Sequence, residues 1–239
     1  MEKSNIIKKW YDNLYLKKGI RAMRSFEQYE YFLKCFDPDK VKGKKLLDIG
    51  AGTGYLLKAA HQKGIITYGV DISDEAVSIA KNVSPDSFIY RCEAEHLMFQ
   101  SAFFDLVTCV GALEHFNDMN KGLEEMLRVA KEDALFCIVV PNSNFIRWKI
   151  ENKAGTNQQE VKEVLLSLSE WRRLFESIGF NIIRVEKDKW FLEGLKHIDI
   201  EKPIKSLKSL LRAIFYTIVP LRYTYQFIFI LKKQSKKRI

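Results

Sequence analysis

The sequence of 239 residues has none of the long apolar runs that mark membrane-spanning proteins. No run reaches the roughly 18 residues that a transmembrane helix requires, and the nearest candidate, 213–231, is interrupted by Pro220, Arg222 and Gln226. The first residues lead into a charged, aromatic segment that lacks the apolar centre of a signal peptide. We therefore expect a cytoplasmic protein.

Cysteine is scarce, and no two cysteines are close in the sequence. Cys35, Cys92, Cys109 and Cys137 are far apart and form no C-x-x-C pair. Three of them lie in or beside predicted core strands, where a cysteine usually serves as a small apolar side chain. The sequence therefore predicts neither a disulfide nor a metal site, which fits a reducing compartment.

Low-complexity segments and internal repeats are also absent, and the apolar content of 47% excludes wholesale disorder. The net charge of +9 could attract a nucleic acid or an anionic membrane. Most of the excess lysine and arginine lies near the two ends, however, which is typical of a solvated face and a frayed tail. We expect a single domain over 1–239, with a helical cap at 1–40, a central core at 41–141 and further segments at 142–239.

A glycine-rich stretch at 46–57, with the sequence LLDIGAGTGYLL, organises the rest of the chain. A buried strand is expected to end at Ile49, followed by Gly50, Gly52 and Gly54, with a helix beginning at about Tyr55. Glycine permits backbone conformations that a side chain would forbid and lets a ligand lie against the main chain. The free N–H groups of the new helix would point into the same crevice.

This stretch differs from the fingerprint of dinucleotide-binding proteins. That fingerprint, G-x-G-x-x-G, needs a glycine where Tyr55 stands. Here the spacing is G-x-G-x-G, and Asp48 comes two residues before the first glycine. In this form the stretch resembles the first motif of the class I S-adenosylmethionine-dependent methyltransferases. A turn whose glycines only permit close packing remains the alternative, and a dehydrogenase is disfavoured.

Strands and helices alternate regularly from Lys45 onward, which predicts an α/β fold. Predicted strands cover 45–49, 67–70, 87–92, 104–110, 135–140, 180–186 and 224–231. The apolar runs are typical of parallel strands covered on both faces. We expect a doubly wound, mostly parallel seven-stranded sheet with two N-terminal helices and a helical insert before the last strand. In the methyltransferase family the last two strands correspond to a hairpin with an antiparallel last strand.

The ends of the next two strands carry the acids that the resemblance assigns to the cofactor. Asp71 follows strand two and could accept two hydrogen bonds from a ribose diol, while Ser73 is better placed to cap the next helix. Ile72 and Leu97 would enclose the adenine ring. After strand three, Glu93 begins a stretch similar to the family's D-A-x-x-L, although this acid is one methylene longer than the family's aspartate.

The turn after strand four, G-A-L-E-H-F, matches the family's position beside the methionine moiety. The unperturbed pKa of a histidine side chain suits proton transfer at neutral pH. His115 in this turn would therefore act as a base, or it would only organise the loop. The resemblance therefore implies the following cofactor-binding residues: Asp48, Gly50, Ala51, Gly52, Gly54, Tyr55, Asp71, Ile72, Glu93, Ala94, Glu95, Val110, Gly111 and His115.

What the resemblance implies is transfer of a methyl group from S-adenosylmethionine to a small-molecule acceptor. Aromatic side chains in the segments that form the family's acceptor pocket suggest an aromatic or lipid-like acceptor. These are Trp10, Tyr11, Tyr15, Phe116, Phe145 and Trp148. The amphipathic segment 204–219 would roof this pocket or contact an anionic membrane peripherally.

Two other functions remain open at this point. A nucleic-acid methyltransferase is disfavoured because neither N-P-P-Y nor D-P-P-Y follows strand four. A catalytically silent protein that binds S-adenosylmethionine would have the same cofactor motifs, and the sequence does not separate it from an enzyme.

Overall fold

We analysed a computed structural model that describes residues 2–19, 24–150, 163–188 and 217–234. These residues form seven strands around which the helices pack. The strands are β1 (Lys45–Ile49), β2 (Ile66–Asp71), β3 (Phe88–Arg91), β4 (Phe104–Val110), β5 (Ala130–Pro141), β6 (Phe180–Lys187) and β7 (Gln226–Lys233). The helices are α1 (Glu2–Lys18), α2 (Phe26–Leu33), α3 (Tyr55–His61), α4 (Asp74–Val83), α5 (Met119–Val129), α6 (Ile146–Ile150) and α7 (Leu168–Ile178).

The strands form one sheet in the order β3-β2-β1-β4-β5-β7-β6. Strands β1 to β5 pair in parallel, whereas β7 runs antiparallel to both β5 and β6. The expected seven-stranded, mostly parallel sheet with an antiparallel last strand is confirmed. The strand order reverses between β1 and β4, and in such sheets this reversal opens a crevice at the carboxyl ends of the strands.

Each face of the sheet is covered by its own apolar core. Leu46 and Leu47 are consecutive in β1, so their side chains point to opposite faces, and both are fully buried. Leu47 belongs to the core that contains Trp171 of α7. Leu46 belongs to the other, which contains Phe32 of α2 and Leu57 of α3. The N-terminal cap therefore shares a core with the helix that follows the glycine loop.

Local signals place the helix ends close to the expected positions. The Ser73 hydroxyl accepts a hydrogen bond from Ala76 N at the start of α4, and Ser167 and Glu170 form the expected capping box of α7. Helix α3 ends at His61, three residues before Gly64, which instead turns the chain with φ +75°. Strand β5 begins at Ala130 rather than at 135 because Ala130 pairs with Phe104 ahead of a register shift.

The predicted helix at 204–219 falls almost entirely outside the described residues, so its contact with a roof or a membrane stays a prediction. Within the described ranges, no helix is both long and apolar enough to cross a bilayer.

Candidate cofactor and acceptor site

The loop between β1 and α3 needs glycine for two physical reasons. Gly50, Gly52 and Gly54 have φ values of +72°, +52° and +80°, a region that side chains rarely adopt. A Cβ atom on Gly50 would lie 2.4 Å from the Cβ of Ala112. The backbone N–H groups of Gly50 and Ala51 both donate to the Val70 carbonyl, at 2.9 and 3.0 Å, which ties the loop to β2.

A cavity of about 840 Å3, open on one side, lies at the carboxyl ends of β1, β2 and β4 under α1. Most of the residues expected at the cofactor line it. They are Asp48, Gly50, Ala51, Asp71, Ile72, Glu93, Ala94, Glu95, Val110, Gly111 and His115. The structure thus brings together residues from four separate stretches of the chain.

Three expected cofactor residues do not line this cavity but support the loop that does. Gly52 donates its N–H to the Asp71 carboxylate. A Cβ on Gly54 would lie 3.0 Å from the backbone of α4, so glycine here permits close helix packing. The Tyr55 ring packs against those of Phe26 and Tyr29, with centroids 6.1 and 6.4 Å apart, and Tyr29 itself lines the cavity. Leu97, expected beside adenine, is buried in the core.

Asp71 is buried and holds the glycine loop with its carboxylate. One oxygen accepts from Gly52 N at 2.8 Å and the other from Ser73 N at 3.0 Å. Burial raises the pKa of Asp71 to about 6, against the lowering effect of these backbone hydrogen bonds. Because Ser73 caps α4, the carboxylate is not needed as a helix cap and remains in the cavity wall.

Asp48, at the opposite side of the loop, is equally buried. Its carboxylate accepts a hydrogen bond of 2.7 Å from the Thr108 hydroxyl of β4. Burial, together with a smaller effect of the nearby Asp71 charge, raises the pKa of Asp48 to about 7, against the lowering effect of the Thr108 hydrogen bond. Two carboxyl groups with elevated pKa values therefore face one cavity, where hydrogen-bond donors from a ligand would stabilise their charged forms.

Glu93 and Glu95, in the segment after β3 that lines the cavity, accept hydrogen bonds from different parts of the chain. The Glu93 carboxylate accepts a hydrogen bond of 3.2 Å from the Ser4 hydroxyl of α1. Glu95 accepts from the backbone N–H groups of Asn117 and Asp118, at 2.8 and 3.3 Å. Glu95 therefore fixes the loop that leads into α5, in addition to lining the cavity.

Helix α1 covers the cavity, and its anchoring residues were not identified from the sequence. Asp12 accepts a 2.6 Å hydrogen bond from the Ser73 hydroxyl, and Lys8 pairs with both Asp12 and Asp74 at 2.7 Å. The inward face of α1 presents Ile7, Tyr11 and Tyr15 to the cavity. The sequence shows that Lys8 and Asp12 are four residues apart, but it does not show that they contact Asp74 and Ser73 at the start of α4.

The expected acceptor residues fall into two groups. Tyr11, Tyr15 and Phe116 line the cavity, and Trp10 packs edge-on against Tyr11 with centroids 5.0 Å apart. Phe116 is held there by Gly122 of α5, where a Cβ would lie 2.5 Å from the ring.

Phe145 and Trp148 lie in a separate cluster and do not line the cavity. Their rings pack against each other and against Tyr225, with centroids 5.2 to 5.9 Å apart. The buried Asn142 side chain donates to the carbonyls of Arg222 and Thr224. These bonds hold the segment that carries Phe145 and Trp148 beside Tyr225. The sequence placed these two residues near the acceptor only through family resemblance.

At the edge of the cavity, Glu114 and His115 lie in a short 3-10 turn, Leu113–His115, and both are buried. Burial raises the pKa of Glu114 to about 8. Glu163 comes close because Val164 N donates to the Glu114 carbonyl at 2.9 Å. One side-chain ligand atom from each of Glu114, His115 and Glu163 lies within 4.8 Å of the other two. No sequence motif pointed to Glu163.

Comparison with known proteins decides the family. Residues 47–138, which include the glycine loop, Asp71 and His115, match the family model described as a methyltransferase domain. Residues 47–138 therefore form a methyltransferase domain of the class I S-adenosylmethionine-dependent kind. S-adenosylmethionine is the cofactor of such domains, and the site fits it. The loop leaves bare main chain where a Cβ would clash, and a buried carboxylate stands in the wall where a ribose diol needs an acceptor.

Proteins similar to this chain include some with and some without an assigned reaction. An uncharacterized protein of Methanocaldococcus jannaschii is 34% identical over 158 residues, which cover 66% of this chain and 57% of the relative. The ubiquinone biosynthesis O-methyltransferase of Coxiella burnetii is 31% identical over 109 residues, 44% of this chain and 47% of that enzyme. The chain thus spans about half the length of these two curated relatives.

Among solved structures, the 1,6-didemethyltoxoflavin-N1-methyltransferase of Burkholderia thailandensis has the same fold as this chain. The two superimpose with a TM-score of 0.67 at 14% identity, covering 98% of this chain and 90% of the other. That structure contains 1,6-didemethyltoxoflavin and S-adenosylhomocysteine. At this identity the likeness extends to the fold alone.

Proposed function

We propose that the protein transfers a methyl group from S-adenosylmethionine to a small-molecule acceptor that is aromatic or lipid-like. The observation that carries this proposal is the cover of the cavity. Helix α1 lies over it, so the acceptor end is walled by Tyr11, Tyr15 and Phe116. A covered pocket with aromatic walls suits a small apolar molecule.

When bound, S-adenosylmethionine supplies a methyl group on a positively charged sulfur. The chain's own contribution to such a displacement is alignment and exclusion of water. The Asp71 carboxylate and the glycine loop orient the cofactor, and α1 excludes water. If the acceptor must lose a proton, His115 is the wall residue whose imidazole suits that task.

The charges around the cavity disfavour a nucleic acid as acceptor. Asp48, Asp71, Glu93 and Glu95 line it, and among the described residues no lysine or arginine does so. A phosphate backbone is bound by clusters of basic side chains. The name of one similar protein, a ubiquinone biosynthesis O-methyltransferase, also supports a small organic acceptor.

Incubation with S-adenosylmethionine carrying a radiolabelled methyl group and a fractionated cell extract tests the proposal. We expect label in the organic-soluble, small-molecule fraction with the wild-type protein and its loss with Asp71→Asn. Label in the nucleic-acid fraction would contradict the proposal. Absence of label from every fraction, with S-adenosylhomocysteine still bound, would favour a silent binder instead.

A further inference from the structure

Three side chains with metal-binding atoms converge beside the methyl-transfer cavity. A carboxylate oxygen of Glu114, an imidazole nitrogen of His115 and a carboxylate oxygen of Glu163 all lie within 4.8 Å of one another. Neighbouring ligands of a bound divalent cation, with bonds of about 2.1 Å, are about 3 Å apart. Small side-chain rotations would therefore bring the three atoms around one ion.

Glu114 supplies a second, independent sign that a ligand belongs here. The residue is only 3% exposed, and its Oε2 atom has no hydrogen-bond partner within the part of the chain that the structure describes. A buried carboxylate oxygen without a partner costs on the order of 1–3 kcal/mol. A native protein retains such an atom where it has a task, and a cation would supply the missing partner.

The backbone holds the two segments of the cluster together. Val164 N donates to the Glu114 carbonyl at 2.9 Å, and Ser143 N donates to the Leu166 carbonyl at 3.1 Å. Leu166 also forms a bridge with Asn142 at the end of β5. Glu163, which is half-buried, is therefore fixed relative to the turn that carries Glu114 and His115. This degree of positioning is what a metal site requires of its ligands.

The charges nearby leave room for a cation. Within the part of the chain that the structure describes, Arg24 acts on Glu114 electrostatically. Its guanidinium also pairs with the buried Asp188 at 2.7 Å and donates to Gln226. A bound cation would favour the ionised forms of Glu114 and Glu163, and the cluster would then have a charge of −2 that matches a divalent ion.

We propose that Glu114, His115 and Glu163 bind a divalent cation that accepts oxygen and nitrogen ligands, and that this cation holds an oxygen atom of the acceptor. Two carboxylates and a neutral imidazole suit manganese, iron or zinc in the divalent state. Three protein ligands leave coordination positions open to the acceptor. The second half of this proposal rests on the proposed methyl transfer, whereas the cation site itself does not.

A cation at this position implies that the acceptor carries a hydroxyl group. A bound divalent ion lowers the pKa of a coordinated O–H group, whose proton passes to solvent while the oxygen keeps the electron pair that attacks the methyl carbon. His115, which borders the cavity, then acts through its neutral ring as a ligand, and no protein base is needed.

Titration of the metal-stripped protein with manganese tests the site directly, by calorimetry and by electron paramagnetic resonance of the free ion. We expect one bound Mn2+ per chain. Glu114→Gln and Glu163→Gln should each weaken binding at least about tenfold, since each removes a charged ligand. Glu124→Gln, which changes an exposed glutamate of α5, is the matched control and should bind manganese as the wild type does.

Binding of S-adenosylhomocysteine, measured on the same samples, separates the two proposals. If the wild type binds this product but neither Mn2+ nor Zn2+, the cation site is wrong and the methyltransferase assignment stands. Equal manganese affinity in wild type, Glu114→Gln and Glu163→Gln would also overturn the site. Manganese binding lost only in these two variants, with S-adenosylhomocysteine binding retained, would establish it.

Discussion

The carboxylate of Asp71, at the end of β2, accepts a hydrogen bond of 2.8 Å from the backbone N–H of Gly52. The acid expected at the ribose and the loop expected under the cofactor are therefore joined before any ligand arrives. This contact keeps the loop in its left-handed backbone conformation and the carboxylate in the cavity wall. The cofactor meets a site that is already organised, which reduces the entropic cost of binding.

Replacing Asp71 with asparagine should weaken S-adenosylhomocysteine binding about 100-fold. The change removes charge-assisted hydrogen bonds, each worth about 1.5–3 kcal/mol, and turns an N–H2 group toward backbone donors. Calorimetric titration at pH 7.5 measures the effect. An affinity within threefold of the wild type would show that the ribose is held elsewhere.

The pH dependence of binding should depend on the same carboxyl group. The pKa of Asp71 is raised to about 6 in the free protein, and hydroxyl donors from the ribose favour the ionised form, so the bound pKa is lower. Binding then releases a proton below pH 6, and affinity should fall up to about tenfold per pH unit as the pH drops. Affinities at pH 5.0, 6.0 and 7.0 should show this fall in the wild type but not in Asp71→Asn. A parallel fall in both proteins would assign it to another group.

Gly50 and Gly43 offer a matched pair of glycine-to-alanine substitutions. Both have φ near +73°, at +72° and +74° respectively, so both changes introduce backbone strain of about 1–2 kcal/mol. A Cβ at Gly43 meets nothing within 4 Å, whereas one at Gly50 lies 2.4 Å from Ala112. Gly50→Ala should lose S-adenosylhomocysteine binding, and Gly43→Ala should only lower the midpoint of urea unfolding. Retained affinity in Gly50→Ala would mean that the loop can move without cost.

Asp48 should make the protein less stable as the pH rises from about 4 to 7. Its folded pKa, about 7, exceeds that of an unfolded aspartate, so unfolding releases a proton in this range and stability falls with increasing pH. The free energy of unfolding should drop by about 1.4 kcal/mol more per pH unit in wild type than in Asp48→Asn. Urea unfolding at pH 5, 6 and 7 measures this difference. Identical slopes would mean that Asp48 is ionised throughout the range.

Loosening α1 should speed the release of bound product. Asp12→Ala removes the hydrogen bond to Ser73 and the pair with Lys8, a loss of about 1 kcal/mol. The dissociation rate of S-adenosylhomocysteine should rise about fivefold in stopped-flow chase experiments. Lys9→Ala changes an exposed residue of the same helix and serves as the control. Equal rates in both variants would show that α1 does not restrain the ligand.

The core of the fold was predictable because its signals are local. Strand β4 and the start of α3 fall where the apolar run and the glycines place them, and Ser73 and Ser167 cap the helices that they precede. The family resemblance added the antiparallel last strand, whereas the order of the strands came from the structure. The glycine loop and Asp71 came together because the ends of neighbouring parallel strands always meet.

The acceptor side was less predictable because it depends on contacts between distant segments. Glu163 reaches Glu114 only through a backbone hydrogen bond from Val164, and no spacing in the sequence indicates that pairing. Phe145 and Trp148 share the aromatic character of the pocket but are turned toward Tyr225. Burial likewise determined the pKa of Glu114, which as a residue type would be expected to be ionised and exposed.

The cavity under α1 is expected to bind the adenosyl group of S-adenosylmethionine and of its product. Calorimetric titration of the folded protein with S-adenosylhomocysteine, and separately with a nicotinamide dinucleotide, tests this binding. We expect a 1:1 complex with S-adenosylhomocysteine that Asp71→Asn weakens strongly, and no heat with the dinucleotide. Binding of the dinucleotide alone would contradict it.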